Sequence, residues 1–301
     1  MNNKNIRRHM SDRVFDGVVA VILLLLLIIT AYPLYFVVIA SISDPSMVVS
    51  GDVVLFPHGF TLEGYKKVIE YDPLWRGYRN TLIYTAGYTL LSVVFTMMAG
   101  YTMSRRDLAG RGWITVFMMI PMFFSGGLIP TYLILNKLHL TGQPLLIIVM
   151  GTVAVRSIIV ARTFIQSSIP EELHEAAVMD GCSHTKYLLQ VILPLSKAII
   201  AVTVLFAAVG QWNSWFAAMI YLKEESQMPL QMVLRDLLVR QTAAGMASDT
   251  ILSDGSAVSQ AALAETMKYS IIIVSTLPIL CVYPFVQKYF VKGVMVGSIK
   301  G

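Results

Sequence analysis

Residues 175–194 read EAAVMDGCSHTKYLLQVILP, and this stretch decides how the rest of the chain is understood. It is polar and interrupted, yet it lies between apolar segments long enough to cross a membrane. Ser168 and Glu171 stand at capping-box spacing, which predicts a helix start there, with Leu173, Ala176 and Ala177 on one face. Glycine enters the left-handed region without a Cβ penalty, so Gly181 is the expected stop. A second short helix is expected to start near Ser183 and to run until Pro194, which has no amide hydrogen with which to continue it. Residues 168–194 are therefore expected to form a helix-turn-helix outside the bilayer. His174 and His184 flank it as surface hydrogen-bonding groups rather than metal ligands.

Composition places this element in a membrane protein. Of the 301 residues, 56% are hydrophobic and only 14% charged, against about a quarter charged in soluble domains. Six segments reach the roughly 20 apolar residues that a span needs: 14–40, 81–103, 113–135, 144–165, 198–222 and 270–290. The first follows Arg7, Arg8 and Arg13 but is too long for a cleaved signal, so it is read as a retained span. The expected fold is an all-α polytopic membrane protein with six transmembrane helices, residues 1–301 forming a single transmembrane domain and the helix pair falling between spans four and five.

Basic residues set the orientation. Lys4, Arg7, Arg8 and Arg13 precede the first span; Arg105, Arg106 and Arg111 crowd the short connection after the second; Lys288, Lys292 and Lys300 close the chain. Both termini and the helix pair are thus expected in the cytoplasm, with the loops 41–80 and 223–269 outside. Residues 228–240 carry a helical apolar pattern, and 245–256 are rich in Gly, Ser and Asp. The net charge of +5 carries no aromatic-interleaved basic stripe, so no nucleic-acid partner is expected.

Several chemistries find no residues to support them. There is no GxxxxGK[ST] phosphate loop, so this chain is not expected to cradle a nucleotide's phosphates, and no cofactor is expected on it. Neither HExxH nor GxSxG is present, and Cys182 and Cys281 stand in no metal-ligand spacing. No Asp or Glu lies centrally in a span, which weighs against an ion-coupled secondary transporter, the alternative class. Arg156 and Arg162 in the fourth span are the ionisable exceptions, suited to pairing with carbonyls or to gating. The fifth span holds Gln211, Trp212, Asn213, Ser214 and Trp215. Aromatic faces and amides suit the C–H faces and hydroxyls of a sugar, and they equally suit hydrogen bonding between helices.

The spacing of Glu175, Ala176, Ala177, then Gly181, then Val191, Leu193 and Pro194 resembles the coupling motif of ABC-importer permeases, departing only where Val191 replaces the usual isoleucine. FFSGGLIPTYL from Phe123, TLEGYKKV from Thr61, QWNSW from Gln211 and the tail KYFVKGVMVGSIKG are similar to the carbohydrate-uptake branch, and FFSGG resembles importers of complex oligosaccharides, including uronate-containing fragments. Gly126, Gly127 and Pro130 in that segment also suffice to break the third span. The resemblance implies that Glu175, Ala176, Ala177, Gly181, Leu193 and Pro194 couple to a pair of ATPase subunits, and that the tail reaches toward them. It implies further partners: a second homologous permease, an extracytoplasmic sugar-binding protein, an oligosaccharide and membrane lipid. Gln211, Trp212, Asn213 and Trp215 become substrate-path residues, unless the partner permease holds the sugar. The expected location is the bacterial cytoplasmic membrane.

Overall fold

The computed structural model describes residues 10–248 and 267–281. Every regular element among them is helical. The tail, residue 253 and residues 282–290 of the sixth expected span lie outside the described residues, as do Lys4, Arg7 and Arg8. Contacts divide the chain into two compact units, Met1–Glu70 with Leu237–Thr276 and Tyr71–Asp236 with Leu277–Gly301.

In the first unit, α1 (Met10–Ser41) is 32 residues long, a rise of about 48 Å. None of its most apolar window is buried within the protein, at a mean hydropathy of 2.8. A helix of that composition satisfies its own backbone and is stable where lipid surrounds it. Where the apolar run ends, the chain turns through α2 (Pro45–Ser50) and α3 (Glu63–Glu70). Asp44 caps α2 by accepting from the Ser46 amide, and Gly51 closes it with φ +83°. Ser41 hydroxyl bonds Tyr65 hydroxyl at 2.8 Å, and the Thr61 amide donates to the Ile42 carbonyl at 3.0 Å. These bonds hold the turn over a small core of Ile39, Ala40, Val48 and Val53.

The second unit is organised around α4 (Asp72–Ser104), 33 residues long. The helix starts nine residues before the expected boundary at 81, because Pro73 near its first turn lets the polar segment 72–80 enter it. Along α4, small residues let other elements approach. A Cβ on Gly77 would lie 3.1 Å from the Leu230 Cα, one on Gly87 2.9 Å from Ile148, and one on Gly100 2.8 Å from the Ala161 Cβ. Side chains of α4 also receive the turn at 226–230. Asn80 donates to the carbonyls of Ser226 and Met228 at 2.8 and 3.1 Å, Tyr84 donates to Gln227 at 2.9 Å, and the Thr81 hydroxyl accepts from the Leu230 amide at 2.8 Å.

The third, fourth and fifth expected spans are each interrupted. The third comprises α5 (Arg111–Phe123) and α6 (Leu128–Lys137), bent by 109°. Gly127 at the break has φ +84°, a backbone closed to most L-residues. The fourth is α7 (Pro144–Val149) and α8 (Val155–Ser168), parted at Gly151, also at φ +84°, whose carbonyl accepts from Tyr88 at 3.0 Å. Then come α9 (Glu172–Met179), α10 (His184–Tyr187), a π-helical turn (Leu188–Ile192), α11 (Leu193–Leu195), α12 (Lys197–Trp212) and α13 (Phe216–Tyr221). The fifth expected span is α12 and α13, separated by Asn213, Ser214 and Trp215. Among the described residues, two helices are long and apolar enough to cross a membrane alone, and four spans result if each strongly bent pair counts as one.

The expected helix at 228–240 is α14 (Leu230–Ser248), which extends past Gly245; residues 249–256 lie outside the described residues. Last is α15 (Met267–Cys281), whose Ser270 hydroxyl donates to the Ser41 carbonyl at 3.4 Å within the first unit.

Candidate functional site

The two-helix element begins later than its spacing predicts. Ser168 is the last residue of α8, and Glu171 precedes α9 without a side-chain capping bond. Pro170 is the cause, since it forces Ile169 into extended backbone (φ −115°, ψ 112°) and separates the two helices.

The turn at Gly181 has the expected form. Gly181, at φ +70°, donates its amide to Val178, and the Cys182 amide donates to the Ala177 carbonyl at 2.8 Å. This bond pair satisfies carbonyls left open by the end of α9. Ser183 then caps α10 by accepting from the Lys186 amide. Contrary to the expectation that it would end there, the second helix continues through Pro194 to Leu195 and bends by 82° across Ser196. The preceding π-helical turn makes this possible, because a wider turn relieves the clash of a proline ring with the carbonyl four residues earlier.

The element is rooted in the second unit's core through Tyr187 and Ile192, which join Met97 and Tyr101 of α4, Ala161 and Ile165 of α8 and Ile199 of α12. Ala177, Leu193 and Val191 pack against this cluster. Glu175, Ala176, Gly181 and Pro194 are exposed. Leu173, Val178 and Met179 are exposed too, Met179 at 87%. Leu173, Ala176 and Ala177 thus do not share one buried face. Ala177 turns inward while the other two face out.

Beside the element, Arg105 donates to Glu171 at 2.9 Å and to Asp107 at 3.0 Å. The bond from Arg105 holds the Asp107 carboxyl below its ordinary value. Gln166 donates to the Ser104 carbonyl at 3.0 Å. His174 stacks on His184 with ring centres 5.9 Å apart and meets Tyr187 edge-on, while Tyr101 hydroxyl lies 3.3 Å from His184 Nδ1. Burial first, and the nearby Arg105 guanidinium second, lower the His174 pKa from its ordinary 6.5. A cavity of about 680 Å³ opens here, lined by Tyr101, Arg105, Arg111, Glu171, His174 and Tyr187 among others. Sequence reading found the histidines but not this arrangement. Tyr101 and Tyr187 are 86 positions apart, and neither sits in a chemical motif.

The second candidate cluster lies at the break between α12 and α13. Trp212 is buried and meets Tyr78 edge-on at 6.2 Å; Tyr78 in turn lies 5.8 Å from the exposed Trp75. The Trp212 indole N–H is buried with no hydrogen-bond partner among the described residues. Asn213 is exposed and donates to the Val209 carbonyl at 2.9 Å, a bond that caps α12. Trp215 is 37% exposed, and the Arg235 guanidinium carbon lies 5.1 Å from its ring centre. Gln211 is half-buried. The five residues therefore do not form one open face, since Trp212 presents its ring to Tyr78 while Asn213 and Trp215 remain accessible. Arg162 reaches Thr115 at 3.4 Å, and Arg156 is exposed in the first turn of α8. No group of three His, Cys, Asp or Glu side chains among the described residues is arranged to hold a metal ion.

Comparison with known proteins matches residues 92–296 to the family described as binding-protein-dependent transport system inner membrane component. The chain is 33% identical over 293 residues to the polygalacturonan/rhamnogalacturonan transport system permease protein YtcP of Bacillus subtilis, covering 97% of this chain and 100% of that one. It is 26% identical over 299 residues to the diacetylchitobiose uptake system permease protein DasC of Streptomyces coelicolor, covering 98% and 100%. A chain in the crystal structure of a bacterial ABC transporter involved in the import of the acidic polysaccharide alginate superposes with a TM-score of 0.85 at 31% identity, covering 94% of this chain and 99% of that one.

Proposed function

This chain belongs to the family of binding-protein-dependent transport system inner membrane components, and on that premise we propose that it is the permease subunit of an ATP-driven importer that moves oligosaccharides, among them uronate-containing fragments, across the bacterial cytoplasmic membrane. The observation that carries the proposal is the rooted two-helix element. It exposes Glu175, Ala176, Leu173, Val178 and Met179 on a short helix, fixed from behind by Tyr187 and Ile192. A small, partly apolar surface held rigidly in this way suits transmission of force from a partner. The partner is a pair of ATPase subunits, which bind the ATP and Mg. This chain needs no cofactor and performs no hydrolysis.

In the proposed assembly, residues 1–301 form one transmembrane domain of six spans beside a second homologous permease. The helix pair at 168–194 is cytoplasmic, and an external binding protein delivers the sugar. Closure of the ATPase pair moves the coupling elements together and opens the cavity outward, and hydrolysis resets it, because each ligand favours a different state of one bistable assembly. Glu175, Ala176, Ala177, Gly181, Leu193 and Pro194 serve coupling. Gln211, Trp212, Asn213 and Trp215 serve the substrate path, where the break in the fifth span and a Trp212 indole N–H with no hydrogen-bond partner among the described residues support a polar ligand at a discontinuous helix. Oligosaccharide transport is supported by the YtcP and DasC relatives, and an acidic substrate by the alginate importer.

The test is uptake by the reconstituted complex. Glu175→Lys is expected to lose ATPase subunits or to uncouple hydrolysis from uptake while the permease pair still assembles. Asn213→Ala is expected to lower uptake with normal ATPase stoichiometry. Transport driven by a proton or sodium gradient alone, with no ATPase bound, would reject the proposal in favour of a secondary carrier.

A further inference from the structure

Arg235 extends from α14 over the accessible ring of Trp215, its guanidinium carbon 5.1 Å from the ring centre. The contact joins two exposed residues, and Trp215 sits in the break between α12 and α13. A guanidinium lying on an aromatic face uses that face for the cation–π attraction, and its N–H groups in the plane stay available as a fork. No carboxylate among the described residues lies within ion-pair distance of Arg235. Arg105 differs, since Asp107 and Glu171 already occupy its guanidinium. Elsewhere, Arg76 lies 3.4 Å from Asp72.

We infer that Arg235 and Trp215 form a carboxylate subsite for the uronate units of an acidic oligosaccharide. The inference rests on the oligosaccharide reading of the same break, and adds to it the place where the uronate carboxylate is bound and a residue, Arg235, that no motif marks. Trp215 offers an apolar plate for a pyranose ring and holds the guanidinium in one orientation, and Arg235 supplies paired charge-assisted donors to the carboxylate. A lysine there would keep the charge but lose the fork.

The test uses the whole complex in proteoliposomes, with partner permease, ATPase pair and saturating binding protein. Two probes of equal length are compared, a galacturonate oligosaccharide and its carboxyl-reduced neutral counterpart. The wild type is expected to favour the acidic probe. Arg235→Gln is expected to lower the acidic-to-neutral uptake ratio by about tenfold, the scale of a lost hydrogen bond to a charged group, while neutral uptake is unchanged. Arg235→Lys should give an intermediate ratio, and Trp215→Ala a reduced one. A parallel fall of both probes in Arg235→Gln and Arg235→Lys would make the contact a structural latch and overturn the subsite. Equal uptake of both probes by the wild type would overturn the subsite and leave the oligosaccharide reading standing. ATP-dependent uptake of neither would overturn both.

Discussion

Gly181 and Gly100 are both small by necessity, for different physical reasons, and substitutions separate the two. A Cβ on Gly181 would meet nothing within 4 Å among the described residues, so its constraint there is the backbone, held at φ +70° by the turn between α9 and α10. Gly181→Asn is expected to be tolerated, because asparagine visits the left-handed region. Gly181→Val is expected to strain the turn by about 1–2 kcal/mol and to lower binding-protein-stimulated ATP hydrolysis. Measuring that stimulation for both variants checks the point; equal losses would show that φ is not the constraint. Gly100 has ordinary helical backbone but faces the Ala161 Cβ, 2.8 Å from where its own would stand. Gly100→Val should lower the melting temperature of the detergent-solubilised complex, corresponding to overpacking of about 1–3 kcal/mol. Ala161→Gly in the same chain should recover much of it. Sequence spacing made Gly181 legible, since it lies in the loop of a motif. Gly100 was not legible, because a glycine inside an apolar helix shows no sign of what approaches it.

At the scale of elements, the helix pair shows why periodicity locates a helix better than it fixes its ends. The Ser168 and Glu171 pair has the spacing of a capping box, yet Pro170 between them decides the backbone and leaves Ser168 inside α8. Pro194 reads as a stop, but a π-helical turn carries the chain past it, and Tyr187 and Ile192, five positions apart, are both buried as a wider turn requires. The breaks in the third, fourth and fifth spans were partly legible. Gly126, Gly127 and Pro130 announce the first, whereas the opening at Asn213 to Trp215 contains neither glycine nor proline. The burial of His174 beside the Arg105 guanidinium gives this element a pH dependence with a definite sign. The folded His174 has a lowered pKa, so its contribution to holding α9 is complete above the ordinary value near 6.5 and is lost as pH falls through the lower folded value. Amide hydrogen exchange across residues 172–187, corrected for intrinsic rates, is expected to accelerate between pH 7.5 and pH 5.5. In His174→Phe, which keeps an aromatic ring beside Tyr187, the acceleration should shrink; an unchanged acceleration would assign the effect to another group.

For the whole molecule, apolar content and basic flanks made an all-helical membrane chain legible, while the positions at which spans break depended on three-dimensional contacts. The proposed topology puts the helix pair inside the cell and α2 outside, and the exposed positions supply better reporters than the native cysteines. Cys182 is half-buried and would react slowly wherever it lay, whereas Met179 is 87% exposed. Ser46 hydrogen-bonds to the Asp44 cap, so a cysteine there would disturb α2, whereas Val49 on the same helix is 59% exposed. In a background with Cys182→Ser and Cys281→Ser, Val49→Cys is expected to react with an impermeant maleimide in intact cells. Met179→Cys should react only after permeabilisation, and more slowly when the ATPase pair is bound, because that pair covers α9 in the proposed assembly. The electrostatic basis is the crowding of Arg105, Arg106 and Arg111 into one short connection beside the element, the distribution that keeps such a loop in the cytoplasm. Reaction of Met179→Cys in intact cells would place the helix pair outside and remove it from reach of any cytoplasmic ATPase. Protection that does not change when the ATPase pair is stripped would leave the topology intact and move the docking surface elsewhere on the cytoplasmic face.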